Sequence, residues 1–409
     1  MNCRFCQAPL SEVLIDLGHA PISNAFLDER QLAEPETHFP LKVLVCSACR
    51  LAQTADYEKP AALFTDSYVY FSSFSTSWLD HARRYVEAVT ARFGLGPASQ
   101  VVELASNDGY LLQYFHARGI PVLGVEPAAN TAAAAQAKGI TTVVDFFGMR
   151  LAERLAAEGR RADLLLGNNV LAHVPDIGDF VGGMALLLKP DGVITMEFPH
   201  LMRLVEHNQF DTIYHEHYSY LSLTAVRRVF ESRGLALFDV EELPTHGGSL
   251  RIYARHAACA RHPATPRLAA LLRREQESGL ETPDYYRGLQ PRALAAKLQL
   301  LEFLVAQKRA GRTVAAYGAA AKGNTLLNYC GVTRDLVACV ADASPHKQGK
   351  YLPGSHIPVV TPGALRALRP DLVLILPWNL QDEITRQLAD MRGMGCRFAV
   401  PIPGLRVLD

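Results

Sequence analysis

The chain has 409 residues, 49% of them hydrophobic, and its 41 basic residues balance 41 acidic ones. That length exceeds what one hydrophobic core usually serves, so two or three domains are expected. The absence of net charge leaves no field to gather nucleic acid or anionic lipid, and no apolar run approaches the roughly 20 residues that span a bilayer.

The amino terminus lacks a basic stretch followed by an apolar one, so it does not read as a signal peptide. A cytoplasmic protein with neither a nucleic-acid nor a membrane partner is expected. Within residues 1–55, Cys3 and Cys6 make one CxxC pair, and Cys46 and Cys49 a second. Each pair can place two thiolates on one tetrahedral ion, and two pairs leave no open position, so a structural zinc module is expected. Four unligated thiols or a redox pair are the alternatives. Residues 68–78, YVYFSSFSTSW, are a poor helix and suit the lining of a site.

From residue 99 strands and helices alternate. Residues 100–105, 121–127, 141–147, 162–169 and 192–199 read as strands of a doubly wound parallel sheet. Glu103 stands near the end of the first strand, which turns through Ser106, Asn107, Asp108 and Gly109. Small residues there let backbone N–H groups approach a ligand. Glu126 ends the second strand, where an acid accepts hydrogen bonds from ribose hydroxyls. Asp145 follows the third strand, with Phe146 and Phe147 offering aromatic faces to an adenine, and Asn168 ends the fourth. The turn is not GxGxxG, so a nicotinamide or flavin is poorly supported. Acids at three successive strand ends argue for S-adenosylmethionine; acids that merely cap helices are the alternative.

Residues 214–220, YHEHYSY, gather two imidazoles, a carboxylate and three phenols. A neutral imidazole is the natural base near pH 7. If the segment is extended, Tyr214, Glu216 and Tyr218 face away from His215 and His217; if it turns, that separation fails, so spacing alone does not choose the base. His173, after the fourth strand, lies at the same sheet edge. His246 and Gly247 open a strand through a donor-rich turn, suited to a phosphate or sugar, or simply a hairpin. A helical connector is expected from about residue 263 to 310, and a new α/β unit from Thr313. Lys322 at a helix N-terminus there suits an anion, and the polar loop from Asp342 through Lys347 can hold a nucleotide or be only surface.

Together, the two CxxC pairs, Glu103-LASNDG, Gly124-VEP, Asp145-FF, Asn168-NVLAHVPD, Phe210-DTIYHEHYSYLS, His246-GGSLR, Tyr317-GAAAKGN and Lys347-QGKYLPGSHIPV resemble the sugar C-methyltransferases of deoxysugar biosynthesis. The resemblance covers essentially the whole chain. It implies an α/β protein in three parts: a zinc-binding module over 1–55, a class I methyltransferase domain with a connecting segment over 56–260, and a helical connector with a Rossmann-like domain over 261–409. It implies S-adenosylmethionine and structural Zn2+ as cofactors, and methylation of a ring carbon beside the keto group of a nucleotide-linked 4-keto-deoxysugar. His217 maps to the base that removes the α proton, Tyr214 and Glu216 to its companions, and His173 and Tyr68 to the lining of the sugar site. Glu103, Ser106, Asn107, Asp108, Gly109, Glu126, Asp145, Phe146 and Asn168 are expected at the cofactor. His246, Gly247, Arg251, Lys322, Asn324, Asp342 and Lys347 are expected at the substrate. An O- or N-methyltransferase of a similar sugar, and a non-catalytic binding protein on the same fold, are the competing expectations.

Overall fold

The computed structural model describes residues 1–55, 57 and 70–408. Tyr68, expected at the sugar site, lies outside them. The described residues form three sheets. The first is antiparallel, in the order β1-β2-β3-β9, from β1 (Glu12–Ala20), β2 (Phe39–Val45), β3 (Ala52–Thr54) and β9 (Ser219–Tyr220).

The second contains β4 (Val101–Leu104), β5 (Val122–Val125), β6 (Thr142–Val143), β7 (Ala162–Asn168), β8 (Leu188–Pro199), β10 (Leu235–Leu243) and β11 (Ser249–His256). Its order is β6-β5-β4-β7-β8-β11-β10, parallel from β6 to β8 and antiparallel beyond. All four residues of β4 are buried, as expected of a parallel strand covered on both faces. The strand order reverses between β4 and β7, which opens a crevice at their carboxyl ends.

The third sheet repeats this plan with β12 (Val314–Tyr317), β13 (Val340–Ala341), β14 (Val359–Val360), β15 (Leu372–Ile375), β16 (Arg397–Val400) and β17 (Arg406–Leu408). Its order is β14-β13-β12-β15-β16-β17, with the reversal at β12 and β15.

Two local expectations change. The strand expected over 141–147 shrinks to two residues, because the Asp145 carboxylate turns back to accept from the Phe146 amide at 2.9 Å and ends the extended run. The expected connector is three helices, Pro266–Glu277, Pro283–Arg287 and Leu289–Arg309, and it is woven into the core. Glu275 on the first of them is fully buried. It accepts from the amides of Leu223 (2.7 Å) and Thr224 (2.8 Å), and so caps the helix Leu223–Glu231. His200 Nε2 lies 2.7 Å from Glu275 Oε1, the oxygen that the Leu223 amide also meets.

The N-terminal module has too little apolar surface for a core of its own. Leu14, Ile15 and Val43 join a cluster with Leu289, Leu304, Val314 and Leu372. Cys3, Cys46, Cys49 and Leu51 join another with Val102, Leu123 and Leu165. The module therefore packs on both larger units. Among the described residues, no helix is long and apolar enough to cross a membrane.

Candidate functional site

The crevices of the second and third sheets open into one cavity of about 690 Å³. From the second sheet it is lined by Asn107, Glu126, Asp145, Phe146 and Asn168. His173, Tyr214, Glu216, His217 and His246 supply another wall, and Lys322 and Lys347 the wall from the third sheet. The aromatic and hydroxyl segment also contributes, through Tyr70, Ser72 and Trp78.

At the β4 edge the chain passes through two left-handed residues, Ala105 (φ 54°) and Asn107 (φ 49°). The Asn107 amide donates to Glu126 Oε2 at 2.9 Å, and its side chain bonds Ser72 and Tyr70 backbone groups, tying the 70–78 segment over the crevice. Glu126 is buried, and burial raises its pKa. Glu103, Ser106 and Asp108 do not line the cavity. Glu103 lies beneath its floor, fully buried, with neither carboxylate oxygen in a well-formed hydrogen bond. Burial drives its pKa well up, and the charges of Asp108 and Glu126 add to the effect. Ser106 turns into the sheet, where a Cβ on Gly124 would meet its Oγ at 2.4 Å, and Asp108 pairs with Lys138. Gly109 does not line the cavity either, and a Cβ on it would meet Ile140 at 2.4 Å and Ala135 at 3.2 Å. Its left-handed φ of 74° serves the turn. Carboxylate and amide acceptors beside the exposed Phe146 ring, with Asn169 Oδ1 buried and unpartnered, fit the ribose, adenine and positive charge of S-adenosylmethionine.

Residues 214–217 are a turn, closed by His217 N–H to the Tyr214 carbonyl at 2.9 Å. This settles what spacing left open: Tyr214, Glu216 and His217 converge on the cavity, while His215 points away and meets the Pro40 carbonyl at 3.2 Å. His217 Nδ1 sits 2.9 Å from the Thr212 carbonyl. A carbonyl only accepts, so Nδ1 carries the proton and Nε2 keeps a lone pair. Burial, reinforced by His173, holds the pKa of His217 well below the usual histidine range, so the ring is neutral at pH 7. Tyr214 packs on the imidazole with ring centroids 4.0 Å apart, and His173 stands edge-on at 4.6 Å. Glu216 accepts from the Asn24 amide and side chain, so the N-terminal module reaches the cavity. β3 reaches the same turn, where the Thr54 hydroxyl donates to the His217 carbonyl at 2.9 Å.

Trp78 packs against both Tyr110 and His246. His246 lines the cavity with φ 53° and Nε2 3.0 Å from Asn169 Nδ2. Gly247 does not line it; a Cβ there would lie 2.3 Å from the Trp378 ring. Arg251 is a correction. It is buried behind the cavity wall, 2.5 Å from Glu197 Oε2. Burial raises the Glu197 pKa, but the His81 hydrogen bond and the Arg251 charge outweigh that and hold it down to about 2. Asn324 is another, its side chain donating to the Ser23 carbonyl at 2.5 Å and stitching two units together. Asp342 is a third: it accepts from the Ala319 and Ser344 amides, each at 2.8 Å, and ties the loop after β12 to its own turn. Lys322 keeps its place on the cavity, with Nζ 2.7 Å from Asn379 Oδ1 and burial lowering its pKa. Asn24, Tyr110, Asn169 and Asp179 also line the cavity, and only Asn169 stands at a strand end where sequence could have pointed to it.

The two CxxC pairs form matching knuckles. In each, the residue after the second cysteine, Gln7 (φ 62°) or Arg50 (φ 65°), is left-handed and returns its amide to the first cysteine's carbonyl. All four Sγ atoms lie within 4.8 Å of one another. A tetrahedral zinc with bonds of about 2.3 Å separates its sulfurs by about 3.8 Å, so the cluster fits that ion. The Gln53 side chain donates to Cys3 Sγ at 3.2 Å, as outer partners of a metal thiolate do.

Residues 3–64 match the family described as a zinc binding domain, 78–240 a methyltransferase domain, and 244–403 a C-methyltransferase C-terminal domain. C-methyltransferase NovU of Streptomyces niveus is 37% identical over 408 residues, spanning 100% of this chain and 97% of its own. A ubiquinone biosynthesis O-methyltransferase of Rhodopseudomonas palustris strain BisA53 is 27% identical over 150 residues, 31% of this chain and 58% of that one. Among solved structures, the PH0226 protein of Pyrococcus horikoshii covers 46% of this chain and 95% of its own, at 14% identity and a TM-score of 0.39.

Proposed function

The chain belongs to the C-methyltransferases, S-adenosylmethionine-dependent enzymes with an N-terminal zinc-binding domain, and we propose that it methylates a nucleotide-linked 4-keto-deoxysugar at the carbon beside the keto group. The observation that carries this reading is the state of His217: a neutral ring that lines the cavity, with its Nδ1 proton committed to Thr212 and its lone pair therefore on Nε2. Carbon next to a carbonyl is acidic enough for such a base to deprotonate, and methylation at carbon needs that step.

Glu126, Asp145, Phe146 and Asn168 would hold the cofactor at the β4–β5–β7 edge. When bound there, S-adenosylmethionine supplies an electrophilic methyl to the substrate carbon. His217 Nε2 takes the α proton, and the electron pair of the broken C–H bond stays on the substrate as an enolate. That pair would form the new carbon–carbon bond as the methyl–sulfur bond breaks and its electrons stay on sulfur, leaving the neutral thioether S-adenosylhomocysteine, and His217 would return the proton to water. Tyr214 orients the imidazole by packing against it, and His173 closes the site to solvent. Lys322 and Lys347 face the cofactor edge from the third sheet, where ammonium groups meet the nucleotide's phosphates. Because burial depresses the His217 pKa, kcat/KM is expected to hold its plateau below pH 6.5 and fall only at more acid pH.

The substrate is tested by incubating the enzyme and S-adenosylmethionine with thymidine-, guanosine- and cytidine-linked 4-keto sugars, read by mass. A gain of one methyl, placed on carbon by NMR, is expected with one of them. His217→Asn should lower turnover by ~10²–10⁴-fold. Activity near that of the parent would remove His217 from the base role.

A further inference from the structure

Thr212 is the residue on which the base depends, since its carbonyl fixes the Nδ1–H tautomer. Both of its chain neighbours are held from the third-sheet unit. The Trp378 indole N–H donates to Asp211 Oδ2 at 2.7 Å. On the other side, the Thr325 hydroxyl donates to the Ile213 carbonyl at 2.8 Å. Asp211 and Thr325 are both buried, so neither bond competes with water.

Trp378 is itself fixed in place. The Lys322 ammonium lies 4.7 Å from its ring centroid, and Gly247 leaves the space that the ring edge fills. Neither Trp378 nor Thr325 lines the cavity, although Pro377 and Asn379 on either side of Trp378 do. Each instead pins a residue beside Thr212 in a short 3-10 turn, Phe210–Thr212, whose own bonds run only from the Thr212 amide and hydroxyl to the Gln209 carbonyl and from the Ile213 amide to the Phe210 carbonyl. If that turn rotates, the Thr212 carbonyl leaves Nδ1. The ring proton can then move to Nε2, and the imidazole loses the lone pair it presents to the cavity.

We propose that Trp378 and Thr325 are positioning residues for His217, so that the C-terminal unit keeps the base in its reactive tautomer. The proposal rests on His217 being the base.

The test uses the full chain labelled with 15N-histidine. A downfield Nδ1–H signal that disappears in His217→Asn identifies the Thr212 bond. In Trp378→Phe, which keeps the ring but not the N–H, and in Thr325→Val, this proton should exchange with solvent at least ~10-fold faster. Turnover of the keto-sugar panel should fall ~10–10²-fold, the scale of a misplaced reacting group, while the Kd for S-adenosylmethionine stays within about twofold. Thr325→Ser, which keeps the hydroxyl, should restore both the signal and turnover. An unchanged signal and unchanged turnover in Trp378→Phe and Thr325→Val overturn the proposal alone. So does a loss of turnover matched by an equal loss of cofactor binding, which assigns the two residues to the fold. Parental turnover in His217→Asn overturns the base assignment and the proposal together.

Discussion

Ala105 sits at φ 54° in the turn after β4, a backbone conformation in which its Cβ crowds the following carbonyl. Ala105→Gly should therefore stabilise the folded chain by about 1 kcal/mol, read as a raised urea midpoint; a lowered midpoint would show that the methyl packs better than its strain costs. His173 makes a pH-dependent contribution. Burial lowers its folded pKa to about 4, against 6.5 in the unfolded chain. The unfolded chain takes up the proton first, so stability is lost as pH falls from about 6.5 to about 4, on the order of 3 kcal/mol over that window. In His173→Gln that part of the acid slope should vanish, and a variant whose stability tracks the parent at every pH would contradict it. At this scale the sequence showed which residue types gather, but not which way they point. His217 and His215 are two positions apart, and only the turn closed at Tyr214 sends one to the cavity and the other to Pro40. Arg251, Asn324 and Asp342 lie in motifs that look ready for a ligand, yet each is engaged by a partner far away or across its own turn.

Among the elements, the parallel strands were the most legible, because β4, β7 and β8 are buried on both faces and read as apolar runs. β14 and β17 were not foreseen; two and three residues are too few to set up a period. The connector is helical as expected, but the burial of Glu275 is not legible in sequence, where it looks like surface, and becomes sensible only beside the amides of Leu223 and Thr224. The turn before β11 is fixed by a neighbour in the same way. Gly247 has φ 86° and the Trp378 ring against its α-carbon. Gly247→Ala should push the ring aside, destabilise the chain by about 2 kcal/mol or more, and quench or shift the tryptophan fluorescence; an unaltered spectrum and melting temperature would mean the ring does not rest there.

At the scale of the molecule, the zinc domain is a shared wall. Arg4, between Cys3 and Cys6, donates to the Pro175 carbonyl at 2.8 Å, next to cavity-lining residues, and β3 bonds the backbone of His217. Stripping zinc with a strong chelator, or Cys46→Ser, should therefore lower both the melting temperature and turnover, with metal content falling from one ion per chain. Full activity in metal-free protein would confine the zinc to its own domain. The sequence made the metal site plain, through spacing alone, and placed it apart from the chemistry; the contact between them depends on β9 closing the first sheet, which no local pattern announces.

The hold on His217 also bears on how the enzyme comes into being. Its own carbonyl is met by Thr54, its ring by Thr212, and the flanks of Thr212 by Thr325 and Trp378. A chain leaving the ribosome completes its transferase sheet at β11, well before residues 325 and 378 exist. If His217 is the base, the nascent chain can thus close its transferase sheet before the groups that hold the turn beside that side chain have been made.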